Sequence, residues 1–226
     1  MTISMRKYEK TLGWIFLALT PLVLPMLLVS ICELLPVQLD NAQLNGALFI
    51  VNFLLAVVIF HRFLWQSARH SLQHPGRTFC WMGIGFGVYF GGNTLVTMLV
   101  TSLAPDFANA NDASILAMVQ EHFWLMAICV VILVPITEEV LYRGLVFGTL
   151  RRKSRWAAYI VSVCAFSILH VISYIGTMPP LHLCLSFLQY LPAGIALALA
   201  YDKTDSVWTG ILIHASNNLL AILTMR

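Results

Sequence analysis

Seven long apolar runs divide the chain and constrain its fold more than any other feature. They cover residues 12–32, 47–65, 79–104, 123–150, 157–175, 182–201 and 207–225. A helix that crosses the hydrocarbon core of a bilayer needs about 20 consecutive, mostly apolar residues. The runs therefore predict an all-α, polytopic transmembrane helix bundle of about seven spans, within a range of six to eight.

The composition argues against a water-soluble fold. Of the 226 residues, 59% are hydrophobic and only 10% are charged, whereas an average soluble domain has roughly 25% charged residues. The apolar runs leave little room for a soluble appendage, so we expect a single membrane domain over residues 1–226. Because the run 12–32 is too long for the core of a signal peptide, we expect it to be one retained helix.

The basic residues are distributed unevenly among the connections. If the N-terminus with Arg6, Lys7 and Lys10 lies in the cytoplasm and the sides alternate, eleven of the thirteen Lys and Arg residues fall in cytoplasmic segments. The connections 33–46 and 105–121, which would lie outside, carry acidic residues and no Lys or Arg. By the positive-inside rule, this pattern predicts a multi-pass protein of the cell membrane with a cytoplasmic N-terminus.

Three ionisable residues lie close together in the fourth apolar run: Glu138, Glu139 and Arg143. Each costs roughly 2.5–3.5 kcal/mol on membrane-insertion scales, so they need compensation. Glu139 precedes Arg143 by four residues, which is the favourable order for an ion pair along one helix. Glu138 points about 100° away from Glu139 and has no local cation. We therefore expect Glu138 to face a polar cavity, where a carboxyl group can serve as a base.

Polar residues on two later runs reach similar depths. Measured from the basic segment 151–155, Glu138 and His170 each lie roughly 20 Å into the membrane, and His214 and Asn218 lie roughly 10–17 Å from the cytoplasmic turn that precedes the last run. Scattered structural polar residues would not be expected to converge in this way. The sequence thus predicts one polar site that combines three helices.

The same residues form three motifs: Glu138-Glu139-xxx-Arg143, Phe166-xxx-His170 and His214-xxx-Asn218. In this order they resemble the motifs of the CPBP family, and no motif position departs from the pattern. That family comprises the CAAX prenyl endopeptidases of the Ras-converting type, the bacteriocin-processing and self-immunity proteins, and the Abi proteins. The resemblance covers about residues 120–225.

The resemblance implies an intramembrane endopeptidase that cleaves a membrane-associated peptide or protein with a glutamate-activated water. Carried over by position, Glu138 would be the general base and His170 would help to hold the water. His214 and Asn218 would donate hydrogen bonds to the oxyanion, where losing one donor typically costs a factor of 10²–10³ in rate. The neighbouring Glu–Arg pair would support the site.

Zinc is the alternative cofactor, because the family was long described as metalloproteases and two histidines with a glutamate could bind zinc. The HExxH metal spacing is absent, however, and Glu138 is better suited to act as a base. We therefore expect no metal and no other cofactor. The expected partners are the lipid bilayer and a peptide or protein substrate, without nucleic acid.

Two other hypotheses remain open. The protein could be a catalytically idle scaffold, immunity protein or regulator with the same fold, although the complete motifs argue for catalysis. It could also be a transporter with a proton relay through Glu138 and His170. Paired interrupted helices in two related halves would favour a transporter, and the sequence contains none.

Overall fold

The computed structural model describes residues 3–34, 36 and 38–224. This described part is helical and contains no β-strand. Its helices, numbered in chain order, are α1 (Lys7–Leu19), α2 (Val23–Glu33), α3 (Asn41–Gln73), α4 (Pro75–Leu103), α5 (Ala110–Glu121), α6 (Phe123–Leu150), α7 (Arg155–Leu169), α8 (Pro180–Thr204) and α9 (Val207–Thr224). The predicted all-α bundle is confirmed.

Each apolar run overlaps one of these helices or, for the first run, the pair α1 and α2, although α7 ends at Leu169 and the fifth run was predicted to continue to residue 175. Among the described residues, five helices are long and apolar enough to cross a membrane: α3, α4, α6, α8 and α9. The bent pair of α1 and α2 also passes this test as one unit, and α7 is a shorter apolar helix. The chain is thus a multi-pass membrane protein. The end of the last predicted run, at residue 225, lies outside the described residues.

The first apolar run is not the single continuous helix that its hydropathy predicts. Helices α1 and α2 meet at an angle of 65°, with a break of three residues between them. Pro21 lies in this break and has no backbone N–H with which to continue the hydrogen bonds of α1. The bend brings Thr20, Pro21 and Pro25 to the wall of a central cavity.

Helix α5 is an element that hydropathy did not reveal, because the segment 105–121 was predicted to be an outer connection. Its start contacts Gln189 and Tyr190, and Tyr190 lies about 15 Å along α8 from Pro180. Its other end leads to His122, whose Nε2 lies 2.8 Å from Asp40 Oδ2. This connection therefore enters the bundle and carries a helix back towards the end where α3 begins.

The predicted cytoplasmic connections lie together at one end of the bundle. Arg155 donates a hydrogen bond of 2.7 Å from Nε to Asp202, and Arg151 forms an ion pair with Asp205. The hydroxyl of Ser206 donates to the carbonyl of Ser67 at 3.0 Å. These contacts join three connections that the alternating topology assigns to the same side.

Helix α6 forms the centre of the bundle. All eight residues of its segment Val140–Phe147 are buried. Side chains from α3, α7, α8 and α9 surround it, including Phe60, Phe166, Tyr201 and Ile211. The polar residues of α6 are therefore held on an element that is packed on several sides.

Candidate active site

The backbone of α6 departs from a regular α-helix on both sides of its two glutamates. The segments Cys129–Leu133 and Val140–Phe147 are π-helical, and the α-helical stretch Val134–Glu139 lies between them. Single π-helical turns are rare and occur frequently at functional sites, because the wider turn changes where side chains and carbonyls point. Glu138 and Glu139 are thus the last two residues of a short α-helical stretch that has a π-helical segment on each side.

Glu139 and Arg143 form the ion pair that their spacing predicts. Arg143 Nη1 lies 2.9 Å from Glu139 Oε1, and both side chains are 0% exposed. Arg143 also donates from Nη2 to the carbonyl of Gly194 at 3.2 Å. Its guanidinium carbon lies 4.3 Å from the centre of the Phe166 ring. These contacts hold α6 against α7 and α8.

His214 on α9 lies between the two glutamates. Its Nδ1 is 3.4 Å from Glu139 Oε1, and its Nε2 is 4.0 Å from Glu138 Oε2. Glu138 Oε2 is buried and has no hydrogen-bond partner among the described residues. The structure therefore brings His214 within ion-pair distance of both glutamates.

Gly210 contributes to the site, although the sequence analysis did not identify it as a site residue. A Cβ atom at this position would lie 2.6 Å from Glu139 Oε2, which is closer than real contacts allow. Glycine therefore lets α9 approach the carboxylate. The spacing in the sequence could have identified it, because Gly210 precedes His214 by four residues and therefore lies on the same face of α9.

His170 follows the last residue of α7 and is fixed by two groups. Its Nδ1 lies 2.9 Å from the carbonyl oxygen of Phe166. Because a carbonyl only accepts hydrogen bonds, Nδ1 carries the proton, and Nε2 of the neutral ring is left as an acceptor. The ring also stacks on Tyr190, a second residue that the sequence reasoning did not single out.

Asn218 joins α9 to the first π-helical turn of α6. Its Nδ2 donates a hydrogen bond of 2.9 Å to the carbonyl of Val130. Nδ2 carries two hydrogens, so one N–H remains for another acceptor. The neighbouring Asn217 is hydrogen-bonded to Tyr89 on α4 and thus links α9 to a second helix.

A cavity of about 850 Å³ connects the predicted residues. Its described wall contains two carboxylates, Glu138 and Asp112, and no Lys or Arg. Glu139 and Arg143 do not line it, so the ion pair lies behind the wall. The residues predicted to act directly are all part of the wall, namely Glu138, His170, His214 and Asn218.

Side-chain amides are unusually frequent in this cavity wall. They come from α3, α4, the start of α5, α8 and α9, and comprise Asn45, Asn52, Asn93, Asn109, Asn111, Gln189, Asn217 and Asn218. Asn52 is 7% exposed, and its Oδ1 is buried without a hydrogen-bond partner in the described structure. Amides both donate and accept, as peptide groups do. The wall is therefore chemically suited to an unwound polypeptide backbone.

Comparison with known proteins agrees with this geometry. Residues 120–220 match the family model described as Rce1-like, type II CAAX prenyl endopeptidase Rce1-like. Residues 120–220 are thus similar to this Rce1-like family. The matched segment contains all three motifs and thus every polar residue predicted for the site. The match supports an intramembrane protease fold for the part of the chain from α6 to α9.

Two curated bacterial proteins are similar to this chain. UPF0177 protein YbdI of Lactococcus lactis subsp. lactis (strain IL1403) is 27% identical over 100 residues, which is 44% of this chain and 49% of that protein. UPF0177 protein YbdJ of the same organism is 29% identical over 99 residues, covering 43% and 38% respectively. The chain thus spans less than half the length of these relatives. No solved structure matches it.

Proposed function

We propose that this protein is an intramembrane endopeptidase in which Glu138 activates a water molecule. The observation that carries the proposal is the buried, unpartnered Oε2 of Glu138 in the wall of a polar cavity. A carboxylate oxygen with a free acceptor position can take a proton from water. The amide-rich wall supports a peptide as substrate, because peptide groups in a membrane need hydrogen-bond partners.

The proposed reaction uses the four cavity residues in two steps. Glu138 removes a proton from water while the water oxygen bonds to the carbonyl carbon of the scissile peptide, and His170 Nε2 accepts the second water hydrogen in a hydrogen bond. His214 and the remaining N–H of Asn218 donate to the resulting oxyanion. The carbon–nitrogen bond then breaks as Glu138 passes its proton to the leaving amine.

The mechanism is proposed without a metal because the donor groups are arranged unsuitably for zinc. Across the residues that the structure describes, no three His, Cys, Asp or Glu side chains form a group that could hold a metal ion. We expect the rate of the purified enzyme to survive exhaustive chelation. Loss of activity that stoichiometric zinc restores would contradict this part of the proposal.

The decisive variant is Glu138→Gln, which preserves size and removes the base. A general base contributes typically 10²–10⁴-fold to rate, so we expect processing of the native substrate to disappear. The measurement is membrane proteomics of cells with wild type against cells with the variant, at equal amounts of folded protein. It also identifies the substrate, whether a prenylated protein, a bacteriocin precursor or another membrane peptide. Unchanged processing in cells with the variant would contradict the role of Glu138 and favour an idle scaffold or immunity protein instead.

We also propose that the protein lies in the cell membrane with a cytoplasmic N-terminus. The basic connections at the end of the bundle with Arg151 and Arg155 support this orientation. Single cysteines at the exposed positions Gly76 and Arg152 should be protected from an impermeant thiol reagent in intact cells. Cysteines at Asn41 and Glu121 should react, and the labelling of each variant should be compared with that of the parent chain, which has five native cysteines. Equal labelling of Asn41→Cys and Arg152→Cys would contradict the proposal.

A further inference from the structure

The ring of Tyr190 lies directly against His170. The two ring centres are 4.2 Å apart, and the planes are inclined by only 26°. Phe166 contacts the same imidazole at 4.7 Å and with a tilt of 54°. His170 is the C-cap residue of α7, where the regular helix ends. The two aromatic rings therefore limit how the imidazole can rotate.

The hydroxyl of Tyr190 is held by the beginning of α5. It donates to Asp112 Oδ1 at 2.8 Å and accepts from Asn111 Nδ2 at 3.0 Å. Asn109 Oδ1 lies 3.3 Å from the same hydroxyl, and Asn109 Nδ2 donates to the neighbouring Gln189 at 2.8 Å. Three polar side chains at the start of α5, those of Asn109, Asn111 and Asp112, thus converge on one phenol.

Simple packing between α7 and α8 would not require this network. An apolar residue at position 190 could fill the space beside His170 without a partner for a hydroxyl group. The network instead holds the hydroxyl of Tyr190 and thereby fixes the orientation of its ring. Because this ring stacks on His170, the imidazole is restrained as well. The ring orientation decides whether Nδ1 can reach the Phe166 carbonyl, and hence whether Nε2 remains the acceptor available to the cavity.

We propose that Tyr190 is a positioning residue for His170, and that the segment Asn109–Asp112 fixes Tyr190 in this role. The catalytic consequence rests on the proposed function, whereas the positioning itself does not. The start of α5 thereby becomes part of the site although it follows no motif. In this role it acts on the chemistry through the imidazole of His170.

The test uses ¹⁵N-histidine-labelled full-length protein in lipid nanodiscs and needs no substrate. Long-range ¹H–¹⁵N spectra report which ring nitrogen carries the proton, and His170→Gln assigns the signal. We expect wild type to show one Nδ1–H tautomer of His170. Tyr190→Leu removes the stack and should give a mixture of tautomers or a broadened signal. Tyr190→Phe keeps the ring without its anchor and should give a smaller change in the same direction.

A matched control is Tyr159→Phe, which removes the hydrogen bond of another tyrosine hydroxyl to an aspartate, Asp202, far along α7 from His170. It should leave the His170 signal unchanged. Asp112→Ala should change the His170 signal as Tyr190→Phe does, because both remove the hydrogen bond between Asp112 and the tyrosine hydroxyl. This variant keeps the proposal testable if Tyr190→Leu fails to fold. An unchanged Nδ1–H signal in the folded Tyr190 variants would overturn the proposal.

Activity gives a second readout once a substrate is known. Displacing a catalytic group by about 1 Å can cost on the order of 10²-fold in rate. Tyr190→Phe should therefore lower kcat by about 10-fold to 100-fold at unchanged KM, whereas a KM effect alone would contradict positioning. A wild-type protein that cleaves nothing but shows the expected His170 spectra would refute the proposed function and leave the positioning role intact.

Discussion

Two regions of the bundle bury glutamates in opposite surroundings. Near the N-terminus, Glu9 on α1 is 1% exposed and is satisfied entirely by backbone groups. Its Oε1 accepts from the amide of Phe63 at 3.1 Å, and its Oε2 accepts from the amide of Arg6 at 2.6 Å. This carboxylate caps the start of α1 and attaches it to α3.

On α6, Glu139 is fully buried and Glu138 is largely buried, with 13% of its side chain exposed, but each keeps an oxygen without a hydrogen-bond partner among the described residues. These atoms are Oε2 of Glu138 and Oε2 of Glu139. Glu139 is compensated by Arg143, whereas Glu138 faces the cavity with His214 at 4.0 Å. The comparison teaches that burial alone does not mark a reactive carboxylate. An acceptor position left free towards a cavity is the more informative feature.

The largest expected effect on stability is that of Glu139→Gln. It leaves the fully buried Arg143 without its counter-charge, and breaking a buried pair in this way costs about 3–5 kcal/mol. We expect a much lower melting temperature in detergent and a reduced folded yield. The matched control is Glu138→Gln, which leaves the ion pair intact and should melt close to wild type. Equal stability of the two variants would contradict the different roles assigned to these neighbours.

A smaller loss of stability is expected for Glu9→Gln. The amide can accept only one of the two backbone N–H groups, and a buried polar group left unsatisfied costs about 1–3 kcal/mol. The exposed Glu33→Gln is the control and should have no effect on thermal unfolding. Turnover per folded molecule should equal that of wild type in both variants. A selective loss of turnover in Glu9→Gln would show that the N-terminal carboxylate is more than structural.

The smallest expected effect is that of Gly210→Ala. The added methyl group must displace the Glu139 carboxylate, and overpacking costs about 1–3 kcal/mol. Replacing a helical glycine by alanine recovers about 1 kcal/mol, so the net loss should be about 0–2 kcal/mol. Gly87→Ala on α4 meets no neighbour within 4 Å and is the control. If Gly210→Ala melts above Gly87→Ala, α9 does not need its close approach to Glu139.

Features that depend on residues near each other in the chain were determined by the sequence itself. Hydropathy over about 20 residues predicted the apolar segments, because each helix satisfies its own backbone in lipid. The Glu139–Arg143 ion pair was predictable from the sequence as well, because residues four apart lie on the same face of one helix. The comparable depths of Glu138, His170, His214 and Asn218 followed from the helical rise and the loop charges, and all four line one cavity.

Only the tertiary structure decided the rotation, tilt and local irregularity of the helices. The 65° break after α1 and the entry of α5 into the bundle interrupt the simple alternation of spans and loops. The place of His214 between two glutamates, the bond of Asn218 to a π-helical carbonyl and the stack of Tyr190 on His170 join different helices. Such contacts depend on ångström-scale packing between helices, whereas hydropathy and spacing fix only which residues share a helix, a face and a depth.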